Sequence, residues 1–310
     1  MLPAVSVVIT TYNQPEYLEK ALESVFAQTF MSHEIIVVND GSTDDTEARL
    51  GKFGDRIRVI TQFNQGIGAA RNRGLQAAAG RYVALLDHDD IWHPEKLALQ
   101  HHFMQLHPEV VGCSVPFLYS CPQGKLGFDP KLRNASGIVE NSLQRYSEGH
   151  LFLLSSIMML DLAKVGDLRY ETEKNSIEDV PLQIRLLLRG PYGIAGEKPL
   201  ATYRVHASNS SRSANHLYRG IERLRSIERS GGFEPCTPEQ RRAINALISA
   251  LGRKMLIAQV TVGRRVRAIR GYITELPHQL RNRRFKFLCI FPALLAIPTR
   301  WLKRRFPVGD

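Results

Sequence analysis

The residues that most plainly carry chemistry are Leu85-Leu-Asp-His-Asp-Asp90, where an apolar run ends in three carboxylates within four positions. Crowded carboxylates repel one another and lose solvation unless a cation offsets them. Hard oxygen ligands of this kind suit Mg²⁺ or Mn²⁺, held by one or two carboxylates plus the phosphates of a substrate. The same acids also suit a solvated turn capping a helix that opens at Pro94, because acids favour helix N-termini. Asp40-Gly-Ser-Thr-Asp44 is a second cluster. Asp40 is suited to accept hydrogen bonds from a base N–H or a ribose hydroxyl, and equally to an N-cap turn. A third segment, Asn64-Gln-Gly-Ile-Gly-Ala-Ala-Arg71-Asn72, sets two glycines ahead of a helix. A helix N-terminus attracts phosphate, and Arg71 suits phosphate, base or open solvent. The fourth is Glu178-Asp179, at the start of a helix running to Arg189. A carboxylate beside an acceptor hydroxyl acts as a general base; the same acid also favours the first helical turn on its own account.

These clusters need strands to deliver them. Val5-Ser-Val-Val-Ile-Thr10, Glu34–Val38, Ile57–Ile60 and Arg81–Leu86 are short β-branched or apolar runs, each read as a buried strand. Helical spacing separates them: a capping box at Asn13-Gln-Pro-Glu16 opens the first helix, residues 66–79 form an Ala-rich one, and Pro94 opens another. Strands alternating with helices imply a mostly parallel sheet covered on both faces. Ligands then sit beyond the carboxyl ends of the strands. Thr10, Thr11, Tyr12, Asn13, Asn39, Asp40, Asn64 and Asp87 to Asp90 all fall on that rim. Further on, Leu151–Leu160 reads as a buried strand, Ile177–Arg189 as an amphipathic helix and 199–205 as another strand. No GxGxxG follows the first strand, so a dinucleotide-binding site fits poorly. A nucleotidyltransferase would need a glycine-rich, basic loop there, and TTYNQPEY is not one.

In order and spacing the motifs resemble glycosyltransferase family 2, with its A-type α/β fold. VSVVITTYN is similar to the family's opening strand, IIVVNDGSTDDT to its nucleotide motif, and NQGIGAARNRG with YVALLDHDDIW to its helix and DxD segment. VGDLRYETEKNSIEDVPLQIRLLLRG resembles the acceptor-side segment and YRVHASNSSRS the distal loop. The likeness runs from residue 4 to about 213 and is most specific in the first hundred. It implies that Thr10, Tyr12, Asp40 and Arg71 line base and ribose, and that Asp87 contacts the nucleoside. It further implies that Asp89 holds Mn²⁺ or Mg²⁺ against the diphosphate, that His206 joins the metal or phosphates when the distal loop closes, and that Asp179 is the base. Leu168-Arg-Tyr-Glu171 departs from the family's usual Phe-Asp-Glu turn, which bears on acceptor contacts. The implied activity is inverting transfer of a sugar from a nucleotide diphosphate, by family frequency uridine diphosphate. The implied acceptor is a hydroxyl of a glycan or lipid-linked molecule in cell-surface polysaccharide or lipopolysaccharide synthesis. The competing reading is a catalytically inactive scaffold that binds nucleotide-sugar.

Charge divides the chain. Residues 211–310 hold 21 Lys and Arg against 6 Asp and Glu, whereas the rest is slightly acidic, within a net +11. We therefore expect three parts: 1–110 binding the donor, 111–210 binding the acceptor, and 211–310 as a basic helical C-terminal module. Arg264–Arg270, Arg281–Lys286 and Arg300–Phe306 are cationic clusters around the apolar run FKFLCIFPALLAIPT, which prolines at 292 and 298 interrupt. An apolar stretch flanked by Arg, Lys and Trp fits a segment lying in a membrane interface. The expectation is a cytoplasmic protein, peripheral on the inner face of the cytoplasmic membrane through 264–306; the alternative is a helical bundle with a solvated basic face. No signal peptide or uninterrupted spanning segment is expected. No nucleic-acid reading motif is present. Cys113, Cys121, Cys236 and Cys289 sit in no CxxC and read as reduced. The sequons at Asn134 and Asn209 read as chance matches.

Overall fold

The computed structural model describes residues 3–120, 126–127, 136–174, 176–206, 214–281, 291–292, 295, 297 and 299. Four parallel strands open the chain: β1 (Val5–Thr11), β2 (His33–Asn39), β3 (Arg58–Thr61) and β4 (Tyr82–Asp87). Helices α1 (Pro15–Phe26), α2 (Thr46–Gly51) and α3 (Ile67–Ala77) connect them. Every residue of β1 is buried. That burial explains why its sequence is a continuous apolar and β-branched run instead of an alternating one.

A two-residue strand β5 (Ile91–Trp92) and α4 (Lys96–Leu106) follow, then β6 (Gly112–Ser114), β7 (Phe117–Ser120), β8 (Leu126–Gly127) and β9 (Gly137–Val139). Next come α5 (Ser142–Ser147), β10 (Met158–Asp161), α6 (Leu162–Val165), α7 (Val180–Arg189), β11 (Tyr192–Ile194) and β12 (Ala201–Arg204). The large sheet has the order β3-β2-β1-β4-β10-β6-β11-β9. Only β10 and β9 run against the rest. The sheet is thus mostly parallel, as the sequence implied, and it crosses residue 110 without a break. A smaller sheet has the order β5-β12-β7-β8, and its edge strand β5 follows directly after the turn that ends β4.

Three sequence expectations are corrected. Asn13 does not form a capping box: α1 has no side-chain cap, and Asn13 sits at φ 51° with its Oδ1 accepting from Thr43 N. The side chain is drawn to the loop after β2, so it ties two strand ends together instead. The apolar run 151–160 is a strand only from Met158 onward, because Ser155–Ile157 winds into a 3₁₀ turn. The helix expected from Ile177 starts at Val180.

The last third is helical: α8 (Ala214–Arg229), α9 (Pro238–Thr261) and α10 (Arg265–Arg281). Thr237 and Gln240 form a reciprocal capping box at the start of α9. By length and composition α9 is apolar enough to cross a membrane, although Arg253 and Lys254 interrupt it. However, 56% of its apolar window is buried, and it packs between α5, α8 and α10 as a core helix does. Buried Ile221, Met255, Leu256, Val260 and Ala268 form a second apolar core among these helices. Cys113 and Cys236 are free; Cys121, Cys289, both sequons and the distal loop beyond His206 lie outside the described residues.

Candidate active site

The parallel register sets the floor of the site. Thr10 stands between Val38 and Asp87, so the ends of β1, β2 and β4 finish level. Past β4 the chain turns tightly, with Asp90 N donating to Asp87 O at 3.0 Å. This turn separates the three carboxylates. Asp87 and Asp89 remain partly open, whereas Asp90 points inward, 1% exposed, and its Oδ1 accepts from Arg204 N at 3.0 Å. Burial, followed by the fields of Asp89 and Asp87, pushes the Asp90 carboxyl well above its ordinary range. None of the three caps α4, whose N-cap is Glu95.

Asp40 is also not a helix cap. It is 3% exposed and accepts from Gln62 Nε2 at 2.8 Å, Gln65 N at 2.9 Å and Gly66 N at 2.8 Å. It therefore braces the loop that leads into α3. Thr10 is buried, and its carbonyl lies 3.1 Å from His88 Nδ1. Tyr12 is 44% exposed at the rim.

The smaller sheet brings His206 to the turn. Its Nε2 is 2.9 Å from Asp89 Oδ2, and its ring stacks on Tyr17 at 5.0 Å. Arg204 holds the whole turn: its guanidinium donates to the carbonyls of Asp89, His88 and Tyr17 and lies over the Tyr17 ring. Asp89 and His206 offer one hard oxygen and one imidazole nitrogen side by side, a donor pair that fits Mn²⁺ or Mg²⁺. Among the described residues no three His, Cys, Asp or Glu side chains gather tightly enough to cage an ion. The remaining ligands of such an ion would have to come from phosphate and water.

Opposite this rim, the segment between α6 and α7 is fastened to α3. Asn72 Nδ2 donates to Tyr170 O at 2.9 Å and Asn72 Oδ1 accepts from Tyr170 N at 2.8 Å. Lys174 Nζ donates to Asn64 O at 2.7 Å. A Cβ on Gly68 would stand 2.0 Å from Glu171 O, so only glycine lets the segment come this close. The docking brings Glu178 to Arg71. Arg71 is 4% exposed; its Nη1 donates to Glu178 Oε1 and its Nη2 to Asp87 Oδ1, both at 2.8 Å. Burial works against the guanidinium charge, but Asp87 and Glu178 outweigh it and raise the pKa. Arg71 therefore ends as the buried link between the strand-end carboxylates and the segment between α6 and α7.

Glu178 is 8% exposed, and burial raises its carboxyl from near 4.5 to about 7. Arg71 opposes that rise and Asp179 adds to it. The upward direction follows from the local count, since Asp87, Glu178 and Asp179 share one guanidinium. Asp179 occupies the N-cap position of α7, yet its side chain bonds none of the helix amides. Its Oδ2 instead accepts from Gln183 Nε2 at 3.1 Å. From α8, His216 Nε2 reaches to 3.9 Å from Glu178 Oε2, and burial lowers the imidazole pKa.

Sequence reasoning assigned no role to Arg204, Ser156 or His216, and it weighed Glu178 only together with Asp179 as a candidate carboxylate. Glu178 was legible as the neighbour of Asp179. Ser156, whose Oγ accepts from Asp87 N, lay hidden in a run read as strand. His216 left no signal, because nothing local ties α8 to the site.

The profile of glycosyl transferase family 2 matches residues 6–149. A putative teichuronic acid biosynthesis glycosyltransferase, TuaG of Bacillus subtilis, is 30% identical over 74% of this chain and 93% of its own length. An uncharacterized glycosyltransferase of Rickettsia prowazekii is 43% identical over 32% of this chain, and the match spans only 31% of that protein. Among solved structures, S. aureus TarS in complex with UDP-GlcNAc aligns at a TM-score of 0.59 with 20% identity, covering 89% of this chain and 91% of that one. The mannosyltransferase PcManGT of Pyrobaculum calidifontis, with GDP-Man and Mn²⁺, also aligns at 0.59, with 16% identity over 94% and 87% of the two chains. These two share the A-type fold.

Proposed function

The chain belongs to glycosyltransferase family 2, and from that premise we propose that it moves a sugar from a nucleoside diphosphate to an acceptor hydroxyl with inversion. The observation that carries this reading is the buried bridge Asp87–Arg71–Glu178. It sets a carboxylate not engaged by helix amides, Asp179, across from strand-end carboxylates that suit a diphosphate and its cation. In this reading Thr10, Tyr12 and Asp40 shape the nucleoside pocket, Asp40 chiefly by holding the 62–66 loop. Arg71 fixes Asp87 toward the nucleoside.

Asp89 with His206 would hold Mn²⁺ or Mg²⁺, which supplies Lewis-acid stabilisation of the departing diphosphate. Asp179 takes the proton of the acceptor hydroxyl as its oxygen bonds to the anomeric carbon. The bond from that carbon to the diphosphate oxygen breaks on the opposite face, and its electron pair leaves with the phosphate. Gln183 orients Asp179 for this role.

The teichuronic acid biosynthesis in TuaG's name supports a polysaccharide setting, and the UDP-GlcNAc complex of TarS supports a uridine diphosphate donor; the acceptor in this reading is a glycan or a lipid-linked molecule. The division at 110 and 210 into donor half, acceptor half and basic module is part of the same reading. So is peripheral attachment to the inner face of the cytoplasmic membrane through 264–306; residues 282–290, 293–294, 296, 298 and 300–306 of that span lie outside the described residues.

The test is thermal-shift binding of a nucleotide panel with and without Mn²⁺, on wild type and Asp89→Ala. Metal-dependent stabilisation by one nucleoside diphosphate, lost in the variant, is expected. Stabilisation by no nucleotide would overturn the donor site and put the binding scaffold aside with it.

A further inference from the structure

Helix α10 has two unlike faces. Ala268, Gly271, Glu275 and Gln279 are buried against the other helices. Glu275 pairs with Arg225 of α8, and Gln279 Nε2 donates to Ser249 O of α9 at 2.9 Å. These contacts fix the helix in place. Turned away from them are Val266, Ile269, Ile273 and Leu280, exposed by 68, 43, 64 and 37%. At 100° per residue these four, with exposed Pro277, fall in a stripe roughly 80° wide and about 21 Å long. Exposed Arg265 borders it on one side and Arg270 on the other. Isolated apolar residues at a surface are ordinary, but a continuous stripe on one helix is not.

We propose that this stripe is a preformed docking face for an anionic lipid bilayer. Its chemistry fits that occupant: aliphatic side chains enter the headgroup boundary while bordering guanidinium groups meet lipid phosphates. The face differs from the apolar run at 285–299 that the sequence brought forward, and it belongs to a helix already packed on the protein. The side of α10 turned away from the stripe meets α8. Arg264 and Arg267 both donate to Asn215 Oδ1, at 2.6 and 2.8 Å, and the next residue is His216, 3.9 Å from Glu178.

The test is co-sedimentation of the full chain with vesicles of phosphatidylglycerol and phosphatidylcholine, against vesicles of phosphatidylcholine alone. Wild type is expected to bind the anionic vesicles, less so in high salt. Val266→Asp with Ile273→Asp should weaken binding by about tenfold or more, and the milder pair Arg265→Gln, Arg270→Gln should remove most of the salt dependence. Vesicle binding unchanged in both pairs would overturn the proposal, as would a wild-type dimer that the aspartate pair converts to monomer. Nucleotide thermal shifts on the same variants check the fold. A wild type that binds vesicles but no nucleotide would sink the transferase reading and leave the lipid face standing.

Discussion

The two sides of the candidate cleft are built by different means. On the proposed donor side, Asp40, Asp87 and Asp89 stand at or just past the ends of β2 and β4, neighbours of β1 in a buried parallel sheet. Backbone register brings the strand ends level, and Arg204 holds the turn that carries Asp89. On the acceptor side, Glu178 and Asp179 precede α7 on a segment with no strand beneath it, held by side chains from three other places. Arg71 reaches from α3, Gln183 from α7 and His216 from α8. A sheet edge tolerates the loss of one side chain, whereas a segment pinned by side chains should come loose one pin at a time. If the comparison is sound, damage on the acceptor side should reach chemistry while sparing nucleotide binding.

The largest expected effect is that of Asp179→Asn. Loss of a general base typically costs about 10²–10⁴-fold in rate. The nucleotide-dependent thermal shift should survive, because the donor side is built without Asp179. Wild-type turnover in this variant would remove the base assignment. Loss of nucleotide binding would instead break the separation of the two sides.

Arg71→Met attacks the single group common to both. It leaves buried Glu178 and half-buried Asp87 with no cation between them; breaking a fully buried pair typically costs about 3–5 kcal/mol, and the openness of Asp87 puts this one toward the low end. The loss should appear as a lowered denaturation midpoint even without nucleotide. A midpoint unchanged in urea would mean that the bridge is incidental to the fold.

Much of the donor side was legible in the sequence, because its information is local. A buried strand needs a continuous apolar run, and the polar residue after it is necessarily at the rim, so Thr10, Asp40 and Asp87 could be placed by counting. What local information misses is direction. Asp87, Asp89 and Asp90 look alike as letters, yet the turn sends Asp90 into the interior, where Arg204 receives it. The run 151–160 looked like strand because burial, not pairing, is what its apolar residues report; Ser155–Ile157 are buried in a 3₁₀ turn. The acceptor side was only half legible. Glu178-Asp179 stood out by charge, but their support comes from Arg71, 107 residues away, and from His216 on a helix with no motif at all.

Glu178→Gln sharpens the comparison through pH. The folded-state pKa of Glu178 is raised from near 4.5 to about 7, so the folded protein holds the proton more tightly than the unfolded chain does. Its stabilising contribution is full below about pH 4.5 and fades as pH rises toward 7. The wild type should therefore lose about 1–3 kcal/mol across that window from this group. The glutamine variant, which cannot ionise, should have a flatter stability profile between pH 5 and 7. A profile as steep as wild type would mean that Glu178 is already ionised throughout, with Arg71 satisfying it fully.

The smallest effect is expected from Asn72→Ala, and it tests the pinning most directly. Asn72 makes two hydrogen bonds to the Tyr170 backbone and none to the carboxylates themselves. Each such bond is worth about 1 kcal/mol net, and the site is partly exposed, so global stability should fall by only about 1–2 kcal/mol. Local opening should change more than global unfolding, because the segment from Tyr170 to Lys174 is held to α3 by few contacts besides Gly68 and Lys174. Hydrogen exchange should therefore quicken at Tyr170 to Lys174 while the amides of β1 and β4 keep wild-type protection. If exchange quickens equally in both regions, the acceptor segment opens only with the whole sheet and the two sides are one cooperative unit. If it quickens in the segment alone, the acceptor side has its own stability, set by side chains, and becomes the part of the cleft free to adjust to an acceptor.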